Sequence, residues 1–223
     1  MKFTTFVALL LISFQCIAES LDESLQSIES QWASTYYSTP KPKRGTAYNR
    51  LITRIAILSK QYPNNAEPII WEAILKASNA DQQDPLSALK SIHEAHDLLH
   101  KAIKINPQAM SGSAYVTLGS LYSMAPKWPI SFGDKAIAKR MLETALKINP
   151  KGIDSNYFYG EFLLADDRPN EAQGYFKRAI AIPSRSWQLF ADDQLKEDAK
   201  RALNKSKKQN SPNLTGLFAS LHH

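Results

Sequence analysis

The sequence is almost free of cysteine, since only Cys16 occurs among its 223 residues. Cys16 lies in an N-terminal stretch that is predicted to be removed, so we expect the mature chain to contain no cysteine. A chain without cysteine forms no disulfides, has no thiol nucleophile and offers no cysteine ligands to zinc. Its stability must therefore come from packing alone.

The sequence also lacks an apolar run long enough to cross a bilayer. The apolar stretch near its start, residues 6–14, is shorter than the roughly 20 residues that a spanning helix needs. The positive residue Lys2 precedes this stretch and the small residue Ala18 follows it, which is the order found in a secretory signal peptide. We expect residues 1–18 to be a signal peptide and the protein to be periplasmic or secreted, with no transmembrane segment in the mature chain.

Signatures of common catalytic and nucleotide-binding sites are missing as well. The sequence has no Gly-x-Ser-x-Gly element around a nucleophilic serine and no glycine-rich phosphate loop. Its carboxylates are scattered over predicted helix surfaces. The net charge of +6 is spread along the chain and does not by itself indicate nucleic-acid binding. We therefore expect no enzyme activity, no cofactor and no nucleic-acid partner.

A short segment recurs along the chain. Residues 102–107 (AIKINP) and 145–150 (ALKINP) are near copies, and residues 179–183 (AIAIP) end in a similar way. In each copy an alanine precedes a proline, which terminates a helix because it lacks an amide hydrogen. The last two alanines are 34 residues apart, whereas the first two are 43 apart, so the middle copy carries an insertion. Residues 58–63 look like a degenerate fourth copy.

Residues 156–183 contain the fullest version of the repeat. Gly160 and Ala172 are small where two antiparallel helices must approach closely, and Tyr159 and Phe176 fill the space around that contact. This pattern resembles the tetratricopeptide repeat (TPR), a helix–turn–helix unit of about 34 residues. The resemblance implies an all-α, TPR-like α-solenoid of about three to four helical-hairpin repeats with a C-terminal capping helix.

The predicted chain has four parts. They are the signal peptide (1–18), an N-terminal helix with a Pro-containing linker (19–45), the TPR-like repeat domain (46–205) and a weakly ordered tail (206–223). The repeat domain includes a capping helix over residues 186–205, whose polar side would keep the end of the solenoid soluble.

The insertion, residues 125–134, is the first candidate binding surface. Its two prolines and one glycine predict a loop of fixed shape. It carries Trp128, Phe132 and Asp134, and aromatic groups beside a few polar ones are common at binding surfaces. The alternative is that Trp128 and Phe132 only fix the loop onto the repeats, since tryptophan is usually largely buried.

The concave groove is the second candidate binding surface. In a TPR stack the first helix of each repeat lines this groove, so an alignment of the repeats predicts which side chains face it. The predicted groove residues are Tyr157, Glu161, Ser120, Glu72 and Lys76.

Three histidines, His93, His96 and His100, are spaced to lie near one face of a helix. The spacing of the last two would allow them to share a metal ion, but the sequence offers no cysteine ligand and no obvious fourth group. We interpret the three histidines as a solvated helix flank and predict no metal site.

Residues 128–134 (WPISFGD), 145–150 and 156–160 (NYFYG) are together similar to exported bacterial TPR proteins. They also resemble the helical T-component associated with some periplasmic TRAP transporters. That second resemblance implies a transport-system solute-binding protein as partner, or an apolar or carboxylate ligand.

Two functions follow from these observations. The first is a non-enzymatic periplasmic scaffold that binds a protein or peptide partner through its concave groove. The second is a small-molecule-binding accessory component of a periplasmic transport system. The second function needs an enclosed pocket, such as a closed apolar cavity beside Trp128.

The signal peptide can be tested by mass spectrometry of the exported protein. We expect a mature chain that begins at Glu19. A lipoprotein would instead begin at an acylated Cys16, but the residues before it, Phe14 and Gln15, are not the small residues that lipidation requires. A diacylglyceryl group on Cys16 would overturn the predicted cleavage site.

Overall fold

The computed structural model describes residues 19–210, which are almost entirely α-helical. The helices are α1 (Leu21–Ser38), α2 (Lys41–Gln61), α3 (Ala66–Ala80), α4 (Pro85–Ile105), α5 (Ser113–Met124), α6 (Lys135–Ile148), α7 (Ile153–Ala165), α8 (Pro169–Ala181) and α9 (Leu189–Asn210). Within these residues, no helix is both long and apolar enough to cross a membrane. The predicted signal peptide and the tail beyond residue 210 lie outside the described residues.

The helices pair into four hairpins that are followed by α9. Helix α1 packs on α2, α3 on α4, α5 on α6, and α7 on α8. The odd-numbered helices also contact one another in order, so they form an inner layer, and the even-numbered helices lie outside them. This arrangement confirms the prediction of an all-α, TPR-like solenoid.

The repeat endings that the sequence predicts are the ends of outer helices. Helices α4, α6 and α8 each end two residues before the proline of their repeat. The alanines of the three endings, Ala102, Ala145 and Ala179, are fully buried. A larger side chain at any of them would meet the neighbouring helix, which explains why the pattern uses alanine.

Two helix boundaries differ from the prediction. Helix α2 begins at Lys41, so the linker before it is only two residues long. Pro42 does not break this helix, because the first helical turn has no use for the missing amide hydrogen. Helix α9 occupies Leu189–Asn210 instead of 186–205, so the first residues of the predicted tail belong to the capping helix.

The inner layer closes on itself. Helix α1 contacts α3 on one side and α9 on the other. The rings of Tyr37 and Phe190 meet edge-on across the α1–α9 contact, with centroids 6.2 Å apart. The five odd-numbered helices therefore form a closed ring, which the repeat pattern in the sequence did not indicate. The concave groove is therefore the interior of this ring.

Small residues set the spacing of the hairpins. A Cβ atom at Gly160 would lie only 2.7 Å from Cε1 of Phe176, whose ring is fully buried between α7 and α8. Asn156 fixes the start of α7, because its side-chain amide donates to the Gly152 carbonyl oxygen at 2.8 Å. The side-chain oxygen of Asn156 accepts a hydrogen bond from Nε of Arg178 on α8 at 3.0 Å.

Substitution of Gly160 by alanine tests the close approach of α7 and α8. We expect Gly160→Ala to lower the free energy of unfolding by about 1–3 kcal/mol, because the buried Phe176 ring must shift. Gly174→Ala is the matched control, since its Cβ would lie 3.9 Å from the nearest atom, in the Arg178 side chain. That control should raise the unfolding free energy by about 0.5–1 kcal/mol through helix propensity. Equal effects of the two substitutions on urea unfolding would contradict the packing argument.

Candidate functional site: the insertion and the ring interior

The insertion folds back on itself between α5 and α6. Its ends are joined by a hydrogen bond from the Gly133 amide to the Pro126 carbonyl oxygen at 2.9 Å. A second bond runs from the Asp134 amide to the Tyr122 carbonyl oxygen at 3.0 Å. A Cβ atom at Gly133 would lie 2.0 Å from the Ala125 carbonyl oxygen, so only glycine fits there. These contacts give the insertion the fixed shape that its prolines and glycine predicted.

Phe132 anchors the insertion to the preceding hairpin. Its ring centroid lies 5.0 Å from that of His93 and 4.6 Å from that of His96, both on α4. It also meets the Tyr122 ring of α5 edge-on at 5.3 Å. Phe132 therefore packs inside an aromatic socket, as the alternative interpretation of this residue proposed.

The histidines supply the polar side of this socket. Nε2 of His96 lies 2.8 Å from the Tyr122 hydroxyl oxygen and 3.2 Å from Nε2 of His100. The Ser131 hydroxyl oxygen lies 3.2 Å from Nε2 of His93. Burial lowers the pKa of His100, and the charge of neighbouring His96 adds to this effect. A solvated flank was the wrong interpretation for His96 and His100, which are half-buried. His96 packs against Phe132 of the insertion, and His100 packs against His96.

Trp128, unlike Phe132, is exposed to solvent. Its side chain is 86% exposed, and two apolar neighbours in the sequence, Met124 and Ile130, are 80% and 66% exposed. The interpretation that Trp128 fixes the loop onto the repeats is therefore wrong. The insertion holds one aromatic side chain inside the protein and presents another to solvent.

Asp134 has a structural role at the end of the insertion. Its carboxylate accepts hydrogen bonds from the amides of Ala136 and Ile137 at 2.7 and 2.9 Å. It is therefore the N-cap of α6, where a side-chain oxygen satisfies amides that have no partner within the helix. Asp134 was predicted to bind a partner, and the structure gives its carboxylate this capping role.

Tyr157 and Glu161 lie on the side of α7 that faces the ring interior. Besides burial, the charges that act on their pKa values include Asp198 of α9 for both residues and Tyr36 of α1 for Tyr157. Burial raises the pKa of both Tyr157 and Glu161. Ser120 is half-buried on α5, and its hydroxyl donates to the Val116 carbonyl oxygen one turn earlier at 2.9 Å.

Glu72 and Lys76 do not face the ring interior. The amino group of Lys76 lies 2.7 Å from the carboxylate of Glu94 on the outer helix α4. Glu72 lies in a cleft that is also lined by residues of α2 and α4, among them Ala56 and Leu98. The predicted groove position is therefore wrong for both residues. Helix α3 contacts α1, α2, α4 and α5, so most of its circumference faces another helix.

An aromatic contact between α1 and α3 was not predicted from the sequence. The Trp32 ring lies 5.7 Å from the rings of both Tyr36 and Trp71. Its indole nitrogen donates to the Ser78 hydroxyl at 3.0 Å. Trp32 and Tyr36 are four residues apart and so share one face of a helix, but nothing local to the sequence indicated that this face meets α3.

The side chains of this site form a surface suited to contact with another molecule. Within residues 19–210, no three or more His, Cys, Asp or Glu side chains are grouped so as to hold a metal ion. The half-buried histidines contact the insertion and one another. What the arrangement offers to another molecule is an exposed apolar loop on a fixed support.

Removal of the Phe132 ring should loosen the insertion. We expect Phe132→Ala to speed amide hydrogen exchange in residues 126–133 by about tenfold or more, because ring contacts contribute roughly 0.5–1.5 kcal/mol each. Trp128→Ala is the matched control and should leave these exchange rates close to those of the wild type, because the Trp128 side chain is exposed. Equal protection of these amides from hydrogen exchange in both variants would show that Phe132 does not hold the insertion in place.

Comparison with known proteins bears on the fold. The sequence matches no family model and no curated protein. The structure is similar to the crystal structure of a thermophilic TPR protein of Thermus thermophilus, with a TM-score of 0.56. The alignment covers 82% of this chain and 92% of that chain, and 14% of the residues are identical. At this identity the likeness establishes the fold alone: the chain described here has a TPR-like solenoid fold.

Proposed function

We propose that this protein is a non-enzymatic scaffold of the periplasm or the secreted fraction, and that it binds a protein partner through the insertion. The observation that carries the proposal is the exposure of Trp128 on a loop whose base is fixed. TPR-like folds in general serve protein–protein interaction, and the predicted signal peptide supports an exported location. A transport-system solute-binding protein is one class of partner that the sequence resemblance suggests.

The support beneath Trp128 is what makes the insertion suited to binding. A flexible loop loses conformational freedom when it binds, and that loss reduces affinity. Here Phe132, Gly133 and the backbone bonds at both ends already fix the loop. Tryptophan is strongly enriched among the side chains that contribute most to binding at protein interfaces. An exposed tryptophan on a rigid support therefore combines a large contact area with a small entropic cost.

The ring interior is the less accessible of the two candidate surfaces. Tyr157 and Glu161 face helices of the same chain across the ring, and burial has raised the pKa of both. Trp128 on the insertion is 86% exposed, whereas Tyr157 and Glu161 are half-buried. We therefore assign recognition of the protein partner to the insertion and not to the groove.

The transport-accessory alternative has less support. It requires an enclosed pocket beside Trp128, and this side chain is 86% exposed. The two described clefts are lined by other residues: one by the C-terminal half of α9, the other by α2, α3 and α4 together with Pro63. We therefore propose the scaffold function in preference to the binding of a small molecule.

Affinity capture from a native periplasmic extract, followed by mass spectrometry, tests the scaffold function. We expect the wild-type chain to enrich a partner and Trp128→Ala to lower its recovery by about tenfold or more, since a central tryptophan typically contributes at least ~2 kcal/mol. Trp187→Ala is the matched control, because Trp187 is also exposed, at 66%, but lies outside the insertion.

The same capture experiment separates the two surfaces. The double variant Tyr157→Ala, Glu161→Ala alters the ring interior and leaves the insertion intact. Partner recovery that survives Trp128→Ala but falls in this double variant would overturn the insertion as the recognition surface. Recovery that is unchanged in all variants would contradict both assignments.

A further inference from the structure

The ring closes through a small polar contact between its first and last helices. We call this contact the seam. It consists of Glu29 and Tyr37 on α1, Arg185 and Gln188 in the connection before α9, Phe190 and Asp192 in the first turn of α9, and Asp154 on α7. Its aromatic contact is the edge-on pair of Tyr37 and Phe190. A seam with so little apolar packing depends on its charges.

We propose that a proton on Glu29 keeps the ring closed, and that its loss at mildly alkaline pH separates α1 from α9. Closure of the ring does not involve the insertion. This pH dependence therefore goes beyond the proposed function and holds whether or not the insertion binds a partner. It would make access to the ring interior dependent on pH.

The charges at the seam are unbalanced. Arg185 is the cation at its centre, and its Nε lies 3.0 Å from Oδ2 of Asp192. The same guanidinium contacts Oδ2 of Asp154 at 3.1 Å. Glu29 is a third carboxyl group beside this one cation, and only 7% of it is exposed. The Arg185 and Asp154 side chains are about a third exposed, whereas Glu29 and Asp192 are buried. If all three carboxyl groups were ionised, the seam would carry a net negative charge with two of its carboxylates buried.

The groups around Glu29 raise its affinity for a proton. Burial raises the pKa of Glu29 to about 7, and the nearby carboxylates of Asp192 and Asp154 act in the same direction. The Gln188 hydrogen bond and the charge of Arg185 act in the opposite direction but do not cancel the burial. Burial raises the pKa of Asp154 as well, although Asp154 contacts the Arg185 guanidinium directly. Glu29 is the buried carboxyl group that α1 contributes to the seam.

The sign of the pH dependence follows from this raised pKa. The closed ring holds the Glu29 proton more tightly than an open ring, in which the carboxyl group would titrate near 4.5. The contribution of Glu29 to closure is thus complete below about pH 4.5 and is lost as the pH rises to 7. Above that pH the closed ring must hold a buried, unpaired carboxylate.

Gln188 provides a second and independent indication of the proton. Its side-chain oxygen is buried and has no hydrogen-bond donor in the described part of the chain. The same side chain already hydrogen-bonds Glu29. A neutral Glu29 carboxyl has an O–H group that can donate to this oxygen, whereas the carboxylate has none. Protonation therefore satisfies a buried acceptor at the seam as well as lowering the charge.

The opening is confined to the seam, because α1 is held to its other neighbours by apolar packing. Ile28, one residue from Glu29, is fully buried in a cluster with Tyr48 and Leu51 of α2 and Leu75 of α3. Deprotonation of Glu29 leaves this cluster intact. The first hairpin therefore stays folded while its contact with α9 is lost.

Pulsed electron paramagnetic resonance on the full chain can measure the opening directly. Cys16→Ser leaves no native cysteine, so spin labels can be placed at Ser34→Cys on α1 and Lys200→Cys on α9, two exposed positions. We expect one short distance at pH 5.5 and a growing population of longer distances at pH 8.5. With the two Glu29 pKa values above, the ratio of open to closed ring should rise roughly 30-fold between these pH values.

Glu29→Gln tests whether this proton is responsible, since glutamine is a neutral residue of the same shape. We expect the variant to stay closed at both pH values. Asp22→Asn is the matched control, because it removes an exposed carboxyl group from the same helix, α1. This control should open like the wild type. The same distance distribution at both pH values in the wild type, or equal opening of Glu29→Gln and wild type at pH 8.5, would overturn the proposal.

Discussion

Close contact between helices at positions with little or no side chain is the constraint on which this structure depends. Leu142 and Phe176 occupy the space in which a side chain at Gly119 or Gly160 would stand. The alanines of the three repeat endings are fully buried for the same reason. Tight hairpins stack with a small rotation from each to the next, and such rotations add up along a solenoid. In this chain the summed rotations bring α1, the first inner helix, into contact with α9, the last one.

The two candidate surfaces differ in the way the fold presents them. The insertion is held from beneath by Phe132, His96 and Tyr122, and it directs Trp128 toward solvent. The ring interior instead turns aromatic side chains toward other helices of the same chain. The outward surface is available as the protein stands, whereas the inward surface depends on the state of the seam.

Features with a local physical cause could be predicted from the sequence. Helix ends followed from prolines that lack an amide hydrogen, and the insertion followed from the longer spacing between two repeats. The socket of Phe132 could not be predicted, because Ser131 and His93 meet across 38 residues of sequence. The orientation of Lys76 was missed because an alignment of repeats does not show that α4 offers it Glu94 as a partner. Ring closure depends on summed rotations and leaves no local signal.

The contact between α1 and α9 has a consequence for how the chain folds. In an open array each repeat contacts only its neighbours, so folding can spread from any repeat and the terminal repeats fray independently. A ring has no terminal repeat, and the first and last described helices, α1 and α9, protect each other. Because a chain is synthesised from its N-terminus, α1 lacks its α9 contact until the last helix has been made. The contact between α1 and α9 can therefore form only after α9 has been synthesised.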